Sequence, residues 1–162
     1  MMHLGKVLTL ILAVFCQTAA AQTLNILNIR EDEGGAICGS RSPQIEVQVN
    51  GVHAEGILTV ELYKPSSRDF LKKASRLKRI RVPAEDGSQT VCFNVDAAGS
   101  YALAAYHDIN GDRELDRQWN MLPAEPFALS NNQKLKLRMP KFEEAAFKAG
   151  EQTTVVRLDL RK

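Results

Sequence analysis

The chain has little with which to hold a transition metal. It carries three cysteines and three histidines in 162 residues, and no paired cysteine spacing, which argues against a Cys/His zinc module. Charge of one sign is lacking too. Twenty-one Lys and Arg stand against nineteen Asp and Glu, a formal net charge of +2, so composition makes no case for a nucleic-acid partner. Internal repeats, low-complexity tracts and domain linkers are absent. Beyond Phe15 no apolar run approaches the roughly 20 residues needed to span a bilayer, so no transmembrane segment is expected downstream.

What the first residues do hold is an address. Met1 to Lys6 carry one positive charge, Val7 to Phe15 are nearly all apolar, and Thr18 to Ala21 are small. This is the pattern of a secretory signal peptide over 1–21, cut before Gln22, which places the protein in the periplasm or outside the cell. A retained anchor would need a longer apolar run, and lipidation at Cys16 would need a smaller residue than Phe15 before it. Cleavage removes Lys6 and lowers the formal charge from +2 to +1. The remaining chain of about 140 residues suits one domain. Its two cysteines, Cys38 and Cys92, are expected to form a disulfide in an oxidising compartment; the alternative is two buried free thiols. The bridge would tie an N-terminal segment, 22–44, to a β-domain over 45–162.

Short alternating runs dominate that domain. Ile45, Val47 and Val49 share one face, as do Leu58, Val60 and Leu62, and the turn residues between them predict an antiparallel pair. Leu24 to Ile29, Ile80 to Val82, Thr90 to Val95, Leu135 to Met139 and Thr154 to Leu160 read as further strands. Phe70, Ala74 and Leu77 are spaced for a helical turn, and Phe142 to Phe147 for another closed by Gly150. Half of the residues from Arg68 to Arg81 are Lys or Arg, seven of fourteen. The favoured reading is a solvated face beside an edge strand; the other is a surface for an anionic partner. The sum is an all-β antiparallel sandwich of about seven strands with short helical turns.

The centre of the chain is Tyr101 to Asp116. Tyr101 to Tyr106 are small or apolar in every position, as in a strand buried on both faces. His107, Asp108, Asn110, Asp112, Glu114 and Asp116 follow. Asp108, Asn110, Asp112, Glu114 and Asp116 fall at alternate positions of a conceivable calcium loop. Arg113 stands where such a loop normally has glycine, however, and Trp119 where it has a carboxylate. The competing reading is an Asx-rich turn around Asn110-Gly111. His107 and Asp108 make a poor catalytic pair, because neighbouring strand residues face opposite sides. Ser130 is the only hydroxyl in the long loop from Trp119 to Asn132, and no motif marks it as a nucleophile. The residues which this region would offer a ligand are His107, Trp119, Glu125, Phe127, Ser130 and Asn131.

Several runs together resemble the bacterial DUF2141 family of secreted proteins. They are Gly56 to Tyr63, the Gly99-Ser-Tyr-Ala…His-Asp-Ile-Asn-Gly-Asp112 run with Asp116, Pro123 to Glu125, Ser130 to Asn132 and Pro140 to Phe147. The likeness extends from about Ile45 to Leu160. It implies an immunoglobulin-like or transthyretin-like β-sandwich, and it brings neither an activity nor catalytic residues. This chain departs from the family pattern at Met121-Leu122-Pro123 and at Pro126 to Leu129, where members carry glycines. The expectation is a periplasmic or secreted, non-enzymatic binding or envelope-associated module that meets an envelope component or a small ligand with its two central loops. The alternatives are a calcium-stabilised structural protein of the envelope and, last, a hydrolase using His107. No cofactor is firmly implied; calcium is the one candidate.

Overall fold

The computed structural model describes residues 26–162, except 67, 121, 135 and 137. The signal-peptide segment therefore lies outside the described residues. Among the described residues eight strands form two sheets. They are β1 (Gln44–Val52), β2 (Ile57–Tyr63), β3 (Arg76–Pro83), β4 (Gly87–Asn94), β5 (Gly99–Asp108), β6 (Phe127–Leu129), β7 (Phe147–Ala149) and β8 (Thr153–Asp159), with one short helix, α1 (Phe142–Ala145). The first sheet has the order β4-β1-β8 and the second β3-β2-β5-β6, with β7 also paired to β5. The expected all-β sandwich is what forms.

The local alternation placed most strands correctly and their partners less well. β1 and β2 do not pair. β1 lies between β4 and β8, and β2 between β3 and β5. The turn residues between them carry the chain from one sheet to the other. Gly56 makes that passage possible: its φ is 71°, and a Cβ there would stand 2.7 Å from the Ile109 carbonyl oxygen and nearer still to that of Asp108. The β1–β8 ladder is parallel, Gln44 opposite Thr153 through Asn50 opposite Asp159, amid otherwise antiparallel strand pairs. At the N-terminus, Leu27 and Asn28 form a turn rather than part of a strand. The 69–77 stretch gives only a 3-10 turn, Lys73–Ser75; Leu77 already belongs to β3, where it is exposed while Phe70 is buried. Phe142 to Phe147 is a single helical turn that runs into β7. Of the short run near the C-terminus, only a Lys136–Arg138 bridge falls among the described residues.

The sheets meet across Ile45, Val47, Val49, Leu58, Val60, Leu62, Ile80, Phe93, Leu103, Ala105 and Leu158. Each of these side chains except Ala105 contributes about 1.5–3 kcal/mol through burial. The second sheet is also covered on its outer face. Tyr63, Ala102, Ala104, Tyr106 and Leu129 pack there against Phe70, Phe142 and Ala145, with Phe70 edge-on to Tyr63 and Phe142 at centroid distances of 5.4 and 5.8 Å. That second layer explains why β5 is apolar on both faces.

Both flanks of the sandwich are stitched. On one, the N-terminal segment crosses from β4 to β3: the Ala36 amide donates to the Cys92 carbonyl, Gly35 approaches Ile80, and Cys38 is disulfide-bonded to Cys92. On the other, Phe127 of β6 and Arg161 beyond β8 exchange backbone hydrogen bonds of 2.9 and 3.1 Å.

Candidate functional site

The end of β5 is built as a turn. The Asp108 carboxylate accepts the Gly111 amide at 2.8 Å and the Arg113 amide at 2.7 Å, one on each oxygen. Asp112 accepts the Glu114 amide, Asn110 accepts the Asp112 amide, and the Asn110 side chain donates to Asp112 and Asp116. Glu125, almost fully buried, reaches in from the long loop and accepts the amides of Ile109 and Asp116 at 2.9 and 3.2 Å. Burial pushes the Asp108 and Glu125 carboxyls above their ordinary values despite these amide donors. Asp108, Asp112 and Glu125 thus spend oxygens on the loop's own backbone amides. No group of three or more His, Cys, Asp or Glu among the described residues is arranged to hold a metal. We expect the same Tm, within about a degree, in excess calcium and in chelator; a calcium-dependent rise of several degrees would restore the cation reading.

Arg113 corrects one step of the sequence argument. It takes φ 75°, the left-handed conformation a glycine would have supplied. A non-glycine residue rests there only when its surroundings hold it. Its amide is bound by Asp108, its carbonyl accepts from Arg81 Nη2 at 2.7 Å, and its guanidinium contacts both Glu33 oxygens at 2.9 Å. Glu33 is 3% exposed and Arg81 2% exposed, and Arg81 Nη1 donates to the same carboxylate, as does the more exposed Arg30. Burial works to raise the Glu33 carboxyl; the Arg30 amide and the Arg81 and Arg113 guanidinia outweigh it and hold it below its ordinary value.

The basic run is solvated at Arg68, Lys72 and Lys73, beside the edge strand β3, while Arg76, Arg79 and Arg81 are paired on the sheet. Thr59, Glu61 and Tyr63 of β2 face Arg81, Arg79 and Arg76 in the ladder. Glu61 Oε1 accepts from Arg76 Nη1 at 2.7 Å and from Arg79 Nε at 2.6 Å, while the Tyr63 hydroxyl donates to Oε2. Burial and then the Glu61 charge push the Tyr63 hydroxyl far up, so it remains a donor.

Beside this cluster, on the outer face of the second sheet, lies a cavity of about 520 Å³. Tyr63, Ala104, Tyr106 and Phe127 form its apolar floor. Arg113, Glu114, Leu115 and Arg117 of the Asx-rich loop and Asn120, Leu122 and Pro123 of the long loop contribute to its walls, as do Leu71, Lys136, Arg138 and Met139. Both loops singled out from the sequence therefore line it, through residues other than most of those expected. Of the expected ligand residues only Phe127, buried in β6, and Glu114 line the cavity. His107 is fully buried, and its Nε2 meets the Glu55 carbonyl at 2.6 Å. Ser130 is inside the fold, accepting the Leu103 amide and donating to the Ala145 carbonyl, and Asn131 donates to the Ala146 carbonyl. Trp119 is 94% exposed and is not among the residues lining the cavity. Sequence reading missed Glu61, Tyr63, Arg76 and Arg79. Part of the signal was present, as alternate polar positions in an otherwise apolar β2; Arg76 and Arg79 are three apart and share a face only through the register shift between Leu62 and Tyr63.

A family described as an uncharacterized protein conserved in bacteria, DUF2141, has a model that matches residues 47–157. No curated protein and no solved structure is matched. No helix among the described residues is long and apolar enough to cross a membrane. Since residues 47–157 make up well over half of the 162-residue chain, and include both central loops and the strands that carry them, the protein belongs to the bacterial DUF2141 family.

Proposed function

We propose that this protein is a non-enzymatic binding module of the periplasm or the extracellular space, and that its ligand site is the cavity on the outer face of the second sheet. The cavity itself carries the reading. Its volume falls in the usual range for small-molecule sites, and it combines an apolar aromatic floor with a few convergent polar groups. Among the described residues five non-glycine residues have left-handed backbone, and two of them, Leu71 and Arg113, line it; strain of this kind gathers at functional sites. The Cys38–Cys92 bridge and the signal-like first residues support the compartment. The non-enzymatic part is supported by His107, engaged with a backbone carbonyl, and by Ser130, engaged on both sides inside the fold.

Titration with a neutral fluorescent apolar dye, N-phenyl-1-naphthylamine, tests the site. Saturable binding is expected, and it should be lost in Ala104→Trp and in Leu115→Trp, which fill the floor and the wall. Circular dichroism and Tm verify that each variant is folded. Undiminished binding in both folded variants, or none in the wild type, would overturn the assignment.

A further inference from the structure

We infer that the ligand is an amphiphilic anion: one acidic group, carboxylate or phosphate, on an apolar body. The inference rests on the reading of the cavity as a ligand site and specifies what enters it. The floor of Tyr63, Ala104, Tyr106 and Phe127 requires an apolar body, because a polar one would lose its water there without gaining partners. The charge around it requires an acid. Six cationic side chains line the cavity: Arg76, Arg79, Arg113, Arg117, Lys136 and Arg138. Glu61 and Glu114 line it as well, and Glu33 and Glu144 pair with its cations from outside. Leaving Arg117 aside, five cations stand against these four carboxylates, an excess of one positive charge.

The place of the acidic group follows from how Glu61 is used. Arg76 and Arg79 both bind its Oε1, each through one nitrogen. A guanidinium has five N–H donors in a planar fork, so each arginine retains donors beyond its bond to Glu61. Both side chains are only part-exposed, at 19% and 26%, which leaves their charge poorly screened. Two half-committed guanidinia at the edge of an apolar floor suit a planar or tetrahedral oxyanion. Glu61 and the Tyr63 hydroxyl hold the pair in position, since one carboxylate fixes both forks. A cationic ligand would meet the charge excess directly. A long polyanion is poorly served by a cavity in which one end of the ligand must lie on aromatic carbon.

Competition against N-phenyl-1-naphthylamine separates the possibilities, using four ligands of equal chain length below their micelle concentrations: decanoate, decyl phosphate, decanol and decyltrimethylammonium. Decanoate or decyl phosphate should displace the dye at least about tenfold better than decanol, and the cation should be weakest. The better of the two anions shows which oxyanion the forks prefer. In Arg79→Met and, separately, Arg76→Met, the preference for decanoate over decanol should fall about tenfold, with circular dichroism and Tm verifying that each variant is folded. If the dye binds and is blocked by Ala104→Trp, yet decanol competes as well as decanoate, the anion inference fails and the cavity assignment stands. If the preference survives in both arginine variants, the placement of the acidic group is wrong. If no dye binds, the cavity reading fails and this inference with it.

Discussion

Glu33→Gln is expected to destabilise the protein by about 3–5 kcal/mol, the cost typical of removing one partner from a buried ion pair. For a chain of this size that lowers Tm by on the order of 10–20 °C. The magnitude comes from what is left behind. Arg81 is 2% exposed, and without Glu33 it would be a buried charge with no counter-ion. Arg113 would lose the contact that holds its side chain across the N-terminal segment while its backbone remains left-handed. The pH dependence has a definite sign. The Glu33 carboxyl is held below its ordinary value in the folded protein, so its contribution is complete above the unfolded value and is lost as pH falls through the folded one. The gap between wild type and Glu33→Gln should therefore be full at neutral pH and close on acidification. Asp108 and Glu125 act in the opposite sense, because their folded values are raised. They are present in both proteins and cancel in the difference. Urea unfolding of both at neutral and acid pH measures this. A loss below about 1 kcal/mol at neutral pH would mean that Arg81 finds water or another carboxylate.

Removing the disulfide, as Cys38→Ala with Cys92→Ala, is expected to cost about 4 kcal/mol in the chain-entropy account of a loop with this separation. The Cα atoms stand 5.4 Å apart, within the ordinary range. The bridge and the Glu33 cluster restrain one segment, only five residues apart, so the effects should overlap. Glu33→Gln should cost less without the disulfide than with it, by about 1 kcal/mol or more, as for residues that share a restraint. Strict additivity would show that Glu33 is held independently of Cys38. Intact mass under non-reducing conditions gives the prior check, a deficit of two hydrogens.

Of these two features the disulfide was legible in the cysteine count, and the Glu33 cluster was not. Strand alternation was legible because each strand has one face on the shared core: Ile45, Val47 and Val49 against Leu58, Val60 and Leu62. Burial of β5 on both faces was legible for the same reason. The partners of β1 and β2 were not, since a turn that links paired strands and an arch that links two sheets use the same residue types. Nor was the parallel β1–β8 ladder, a pairing between distant segments that no local spacing encodes. In the central loop, the Asx turn was written in Asp108, Asn110 and Gly111. What holds Arg113 was not, because Glu33 lies 80 residues away. The basic run looked solvent-facing because lysines and arginines usually are. Only the β2–β3 register turns Arg79 onto Glu61 and Arg81 onto the outer face, and so creates the cationic edge of the cavity.

Amide chemical-shift mapping with decanoate tests the central claim most directly. The account expects saturable shifts that cluster at Tyr63, Arg79, Ala104, Tyr106, Leu115 and Phe127, with the β1 and β4 amides unmoved. Shifts centred on β1, β4 or β8, or none at saturating decanoate, would contradict it.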